Sequence, residues 1–470
     1  MDTLLDVTLL DPHWTSLQAL AARSGNIESS AYLLFGSASI QADPWTGSPR
    51  LRLISHRYEP IADEDKRTAS PMHVTWSTRG FMRLLSSAVG GNLIPGLVHT
   101  HPGSTAFFSE QDDQNEAELA RTAIIKGARG LISIVMGGDG SVCARLWEAN
   151  GNRTEATVVR TVGSRCHYWP SNVPGPADTA HLERQGRLFG TTFNPLLRAL
   201  RVAVVGGGGT GSPLALLLAR LGVGHLLLVD TDKVDTTTLN RMLGSRRADA
   251  VAEAYKVDVL EREIHAMDLG TQVRTRREWV NAPSMRDALR ACDFVFGCTD
   301  DHAGRIFMNR FAHFYGVPVL DVGLRMMASQ EGRGHDINGR VTALLPGNGC
   351  LLCAGVVDPR RAAAETLART DPDEYQRRKA EAYVIGSGDP APSVVTFTTE
   401  MACVAANEMI AALTGFHGHA GMVPSRVRRF HARDDRELEI RRKDYCPICA
   451  TARYWGRGDI NPFLDLIGEA

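Results

Sequence analysis

Residues 201–232, RVAVVGGGGTGSPLALLLARLGVGHLLLVDTD, contain a strand–helix–strand pattern. RVAVV is a short apolar run that ends in glycines. SPLALLLARL has helical character, and HLLLVD is a second short apolar run. Such runs, joined through a helix, belong to a parallel sheet covered on both faces. Gly206, Gly208 and Gly211 stand at G-x-G-x-x-G spacing. Glycines there permit a tight turn and close backbone approach, while the helix N-terminus offers N–H groups to phosphate. Asp230 closes the second run, where a carboxylate reaches ribose hydroxyls. Taken alone, the stretch fits a dinucleotide dehydrogenase equally well. Working outward, DFVFGCTD (293–300) and PVLDVGL (318–324) repeat the pattern, so the chain from residue 182 onward is expected to be α/β and doubly wound.

The polar residues around this frame decide between the two chemistries. After Asp230 come Asp232, Asn240, Arg241 and Lys256, then Asp300. A dehydrogenase needs no arginine, lysine and metal-binding aspartate around its phosphates. An enzyme that drives a carboxylate onto the α-phosphate of ATP does. Two anions must meet there, so fixed cations and Mg²⁺ neutralise the crowded charge and stabilise departing pyrophosphate.

With those residues in place, residues 182–470 resemble the ThiF/MoeB-type adenylating fold of ubiquitin-activating enzymes, which implies a Rossmann-like sheet. The resemblance implies that Gly206, Gly208, Gly211, Asp230, Asp232 and Asn240 bind ATP. It further implies that Asp230 holds the ribose, Arg241 and Lys256 grip the phosphates, and Asp300 positions Mg²⁺. Arg184, in HLERQGRLFG, matches an arginine that family dimers contribute to the neighbouring subunit's ATP site, so a homodimer through this domain is expected. One departure is Thr238 in TLNR, where the family has asparagine; this alters one polar contact to ATP.

A different chemistry is written at residues 99–113, HTHPGSTAFFSEQDD. His99 and His101 point to one side of an extended segment. Asp112 follows where a helix can bring a carboxylate back. Two imidazoles, a carboxylate and a position left for water form the ligand pattern of a catalytic zinc site. The metal lowers the pKa of bound water to roughly 7, giving a nucleophile at neutral pH.

The full string, H-x-H-P-x(6)-S-x-x-D over His99, His101, Pro102, Ser109 and Asp112, resembles the JAMM (JAB/MPN-plus) metallopeptidases across residues 10–150. The resemblance implies a mixed sheet with helices, zinc on His99, His101 and Asp112, and Ser109 stabilising the tetrahedral intermediate. Its general base would be Glu28, in NIESSAYLLFG. Here the chain departs from the family: Ala31 replaces a glycine, and Gly36 sits one residue late.

Cys350/Cys353 and Cys446/Cys449 form two C-x-x-C pairs, the pattern of a closed structural zinc site. Cys143, Cys166, Cys292, Cys298 and Cys403 are scattered and read as small buried hydrophobes. Between Cys353 and Thr398 there is no cysteine to take a thioester; Ser387 is a candidate for an oxyester, with direct transfer the favoured route.

A length of 470 residues calls for two or three domains, and a net charge of −1 gives no pull toward nucleic acid or membrane. The expected organisation is a peptidase domain over 1–155, a proline-containing linker over 156–181, and the adenylation domain over 182–470. The N-terminal sequence has no basic-then-apolar signal pattern and no run spans a bilayer, so a cytoplasmic location is expected. Together the two resemblances imply a bacterial ubiquitin-like system, by analogy one of phage defence. Its partners would be the C-terminus of a β-grasp protein and a conjugation partner enzyme. The alternatives are sulfur-carrier activation through a thiocarboxylate and a catalytically silent scaffold.

Overall fold

The computed structural model describes residues 3–62, 65–70, 73–76, 78–172, 180–327, 335–380, 392–418, 420–462 and 464. It divides into two compact units.

The first unit comprises Met1–Val173, Phe314–Gly316 and Ala452–Pro462. Its strands are β1 (Leu4–Leu10), β2 (Ser30–Ile40), β3 (Arg50–Pro60), β4 (Lys66–Ser70), β5 (His73–Trp76), β6 (Ile94–His101), β7 (Gly130–Gly137), β8 (Val142–Glu148), β9 (Arg153–Val162) and β10 (Tyr168–Pro170). Eight of them form a mixed sheet in the order β1-β3-β2-β6-β7-β8-β9-β10, and a further β1–β9 pairing closes it on itself. The remaining two, β4 and β5, make a separate hairpin.

The helices are α1 (Asp11–Ser24), α2 (Thr78–Gly90) and α3 (Glu110–Ile125). Strand β2 is buried on both faces. Leu33 and Phe35 pack with Trp14 and Leu17 of α1, while Tyr32 and Leu34 pack with Phe81 of α2 and Ala120 of α3. That is why AYLLFG is apolar throughout rather than alternating.

On β1, Leu5, Val7 and Leu9 join one core, whereas Asp6 is buried among arginines. It accepts from Arg50 at 2.8 Å and from Arg160 at 2.6 Å, with Arg52 at 3.9 Å. Burial pushes the Asp6 carboxyl up, but the three guanidiniums outweigh it and hold it well below the usual carboxylate range.

Two expectations about boundaries are corrected here. Of the stretch expected as a linker, 156–181, the part up to Pro170 instead continues the first sheet: β9 pairs with β1 and β8, and β10 pairs with β9. Backbone pairing fixes these residues despite the nearby prolines, and β10 ends at Pro170, which can donate no ladder bond. Ala452–Pro462, expected in the second domain, groups with the first unit. Beyond the reach of β6, the edge of β2 is bridged at Ser37–Gly458, and Asp459 N donates to Ser37 O at 2.8 Å. The approach leaves no room at Gly36, whose added Cβ would lie 2.1 Å from Gly456 O.

The second unit contains β11 (Arg201–Val205), β12 (His225–Val229), β13 (Gln272–Arg276), β14 (Phe294–Gly297), β15 (Val319–Met327), β16 (Asp336–Leu344), β17 (Ser425–Arg429) and β18 (Asp434–Leu438). The order is β13-β12-β11-β14-β15-β16-β17-β18. The first five run parallel, and the last three continue the sheet antiparallel. The strand order reverses between β11 and β14, and ligands of such sheets bind at the carboxyl ends beside that point.

Candidate active sites and metal centre

In the first unit the site is set by register. Ser30 of β2 lies opposite His99 of β6. Two residues back, Glu28 therefore falls beside His101, with Oε1 3.8 Å from Nε2. The intervening pair is locked: Ser29 N donates to Thr100 Oγ1 at 2.9 Å, and Thr100 N to Ser29 O at 3.0 Å. Because this lock uses backbone and small hydroxyls, Ala31 in place of a glycine does not disturb it.

Asp112 arrives from the first turn of α3. Ser109 is the N-cap, and the two form a capping box. Asp112 Oδ2 accepts from Ser109 Oγ at 2.7 Å and from Ser109 N at 2.8 Å. Its Oδ1 lies 3.3 Å from His99 Nε2. Burial pushes the Asp112 carboxyl up, but His99 and Ser109 outweigh it and hold the group well below its usual range. For Glu28 burial wins over the pull of His99, and its carboxyl is raised to about 7.

The donor atoms of His99, His101 and Asp112 lie within 4.8 Å of one another. His99 Nε2 is buried and faces Asp112 Oδ1 at 3.3 Å without a well-aligned hydrogen bond. A buried imidazole nitrogen left this way beside a second imidazole and a carboxylate suits a zinc ligand set.

The four paired cysteines also converge, with their sulfurs within 4.8 Å of one another. Cys350 Sγ is 3.6 Å from Cys446 Sγ, and Cys353 Sγ is 3.4 Å from Cys449 Sγ, so all remain thiols. Lys443 N donates to Cys353 Sγ at 3.4 Å. All four donors are sulfur, which fits a closed zinc site.

At the carboxyl end of β11 the glycine loop is sterically exact. Gly206 has φ +96°, and a Cβ on Gly211 would lie 1.7 Å from Gly206 O. Gly208 faces open space, the cradle that a phosphate needs. Asp230 bridges two loops, accepting from Gly207 N at 2.6 Å and Asp232 N at 2.8 Å. Each of its oxygens keeps a lone pair for a hydroxyl donor. Lys256 Nζ lies 2.7 Å from Asp232 Oδ2. Arg241 lays its aliphatic stem against Gly209, near 3.3 Å from where a Cβ would stand, with Asn240 beside it.

The ThiF family model matches residues 182–448, more than half the chain. The chain belongs to the ThiF family. A second family model, prokaryotic homologs of the JAB domain, matches residues 10–150. The sulfur carrier protein ThiS adenylyltransferase of Escherichia coli (strain K12) is 28% identical over 253 residues, covering 53% of this chain and 85% of that protein. The SAMP-activating enzyme E1 of Haloferax volcanii is 26% identical over 171 residues, covering 36% of this chain and 56% of that one. The crystal structure of E. coli MccB with ATP aligns at 16% identity with a TM-score of 0.43, covering 59% of this chain and 76% of that one. The chain spans about half the length of several curated relatives.

Within the ThiF portion, the expected site residues do not all converge. Asp300 is exposed three residues past β14, and its carboxylate has no partner among the described residues. Arg184 is exposed on the helix Glu183–Phe189 and makes no contact with the glycine loop among the described residues. Thr238, expected to alter an ATP contact, is instead buried, and its hydroxyl and N–H both donate to Asp235 at 2.8 Å. Asp301, which the sequence reading passed over, caps the next helix by accepting from Gly304 N at 2.7 Å. Its place after Asp300 and before a helical run is the signal that marks it. Ser387 lies outside the described residues. No described helix is long and apolar enough to cross a membrane.

Proposed function

We propose that the chain is a bifunctional enzyme acting on the C-terminal tail of a ubiquitin-like protein. One centre cleaves after or frees that tail, and the other adenylates its terminal glycine. The carrying observation is the convergence of His99, His101 and Asp112 with Glu28 beside them.

Zinc held by the three donors would supply a Lewis acid that brings a water's pKa to roughly 7. Glu28, raised to about 7 by burial, takes the proton from the attacking water and returns it to the leaving amine. Ser109 Oγ, whose single proton lies on Asp112 Oδ2 in the free site, turns it to the oxygen that becomes negative.

In the second unit the carboxylate of the tail attacks the α-phosphorus of ATP, and pyrophosphate leaves. The glycine-loop amides receive phosphate, Asp230 receives the ribose hydroxyls, and Lys256 exchanges Asp232 for a phosphate oxygen. Arg241 stabilises departing charge, and Asp300 offers a carboxylate for Mg²⁺. Exposed Arg184 serves the ATP site of a second copy in a homodimer. Cys403 is unsuited as an acceptor: burial and Glu400 push its thiol up, favouring direct transfer over a thioester.

A second reading is sulfur-carrier activation, in which the adenylate becomes a thiocarboxylate. The similarity to the Escherichia coli sulfur carrier protein ThiS adenylyltransferase favours it. A place in antiphage defence rests on analogy with bacterial ubiquitin-like systems alone.

The test uses the full chain with a small β-grasp protein that carries a glycine near its C-terminus. Pyrophosphate–ATP exchange that depends on that partner, and zinc-dependent removal of residues beyond its glycine, are expected. Intact mass separates the readings, since a thiocarboxylate points to sulfur transfer. Loss of both activities in fully metallated protein would overturn the proposal in favour of a silent scaffold.

A further inference from the structure

We propose that Arg145 is a positioning residue for the His99–His101–Asp112 centre, which rests on the metallopeptidase reading of that centre. Asp112 serves two geometries at once. One carboxylate oxygen closes the capping box on Ser109, and the other faces His99 at 3.3 Å. A small rotation or slide of α3 would therefore withdraw it from the histidines.

Arg145, on β8, blocks both motions. Its Nε donates to Glu116 Oε2 at 2.7 Å, and its terminal nitrogen reaches Asp113 Oδ1 at 2.5 Å. Its guanidinium carbon lies 3.7 Å from the centre of the Phe108 ring. Phe108 precedes the N-cap, Asp113 follows Asp112, and Glu116 lies one turn further on. One planar cation thus grips α3 on both sides of the residue that faces the histidines. The Glu116 half of the grip is dry, with the Arg145 and Glu116 side chains 1% and 2% exposed, whereas Asp113 is 43% exposed and also meets Arg153 at 2.9 Å. Trp147 Nε1 donates to the same Glu116 oxygen at 2.9 Å and fixes its rotamer.

Burying an ion pair is a poor route to stability, because apolar residues of similar size serve as well. What a planar guanidinium bridging two carboxylates adds is fixed direction. Residues that orient metal ligands in this way typically cost about 10- to 100-fold in metal affinity or activity when changed.

The experiment separates direction from stability. Replacing the pair together, Arg145→Met with Glu116→Gln, removes both buried charges and spares the fold an unpaired one. The zinc to be followed is the one that His99→Ala eliminates, titrated by chelator competition. Expected are near-wild-type thermal unfolding, zinc affinity lower by about 10- to 100-fold, and kcat lower by a similar factor with KM unchanged. Wild-type zinc affinity in the double variant overturns the proposal. Should that variant fail to fold, Arg145→Lys keeps the charge but loses the fork; unchanged affinity there overturns it equally. If the wild type binds this zinc yet cleaves nothing, the peptidase reading fails while the affinity comparison still decides the clamp.

Discussion

Two donor clusters sit among the described residues of this chain, and they differ in what surrounds them. His99, His101 and Asp112 offer three donors of mixed chemistry, with the Glu28 carboxylate 3.8 Å from one of them. Cys350, Cys353, Cys446 and Cys449 offer four of one kind, packed against Ile448 with Leu352 and Ala450 around them. On the proposed reading, the first would leave a coordination position open with Glu28 beside it as proton acceptor. The second fills a tetrahedron with sulfur. Donor count and the nearest carboxylate, more than the presence of ligands, separate a centre built for reaction from one built for shape.

The sharpest way to break that contrast is to remove the acceptor alone. Glu28→Gln should lower cleavage of a ubiquitin-like C-terminal extension by about 10²- to 10⁴-fold, as expected for a lost general base. Zinc content measured by mass spectrometry should stay at its wild-type value. Cleavage that survives the change would mean that Glu28 is not the base and that the open cluster works differently.

The glycine-loop site extends the comparison to a centre that handles charge without a tight donor cage. Removing one fixed charge there, by Asp300→Ala or Arg241→Ala, should reduce pyrophosphate–ATP exchange by about 10²-fold or more. Exchange at the wild-type rate in both variants would remove them from the phosphate site.

The closed cluster should answer in stability first. Cys449→Ser should lose one zinc and lower the unfolding temperature by on the order of 10 °C, because metal binding contributes folding free energy there. A variant that unfolds at the wild-type temperature but has lost catalysis would place the cysteines in the reaction.

Asp6 sharpens the contrast among carboxylates. Like Asp112 it is held below its usual range, but arginines saturate it and no ligand position remains. Asp6→Asn should cost about 3–5 kcal/mol, because it leaves buried guanidiniums uncompensated. The folded carboxyl lies below its ordinary value of 3.8, so its contribution is complete above that pH and fades as pH falls toward the folded value. Urea unfolding of both proteins across acid pH would measure this. A gap that stays constant down to strongly acid pH would argue against the pairing.

Much of this was legible in the chain. The run 201–232 marks its strands and glycine turn because a buried parallel strand must be apolar throughout. The string from His99 to Asp112 marks the open cluster because a strand and the next helix turn bring it together locally. Other features depended on distant partners. The strands β9 and β10 hide beside prolines, and β10 has only three residues. The antiparallel strands β16, β17 and β18 carry many charged residues that pair across the sheet edge, so they lack an apolar signature. Ala452–Pro462 completes an edge some four hundred positions earlier, which no local pattern encodes. Arg145 carried no signal of its own; Asp113 and Glu116, three apart on a helix, were the only hint of a shared cation.

The smallest predicted effect concerns Thr238, where the family pattern and the observed contacts point in different directions. By position Thr238 replaces an asparagine that meets ATP. In the fold its side chain is 3% exposed, and its hydroxyl is spent on Asp235. Asp235 also accepts from Thr237 Oγ1 at 2.8 Å and from Thr238 N at 2.8 Å, so the loop before Arg241 is tied down three ways. Thr238→Val keeps the shape and deletes one of the three. If the hydroxyl only braces the loop, stability should fall by about 1 kcal/mol, the net worth of one hydrogen bond. The KM for ATP in the exchange assay should then stay where it was, since Gly208, Asp230 and Lys256 keep their places. A tenfold rise in KM with unchanged stability would show instead that the hydroxyl turns toward nucleotide when ATP binds, and Thr238 would join the ATP site after all.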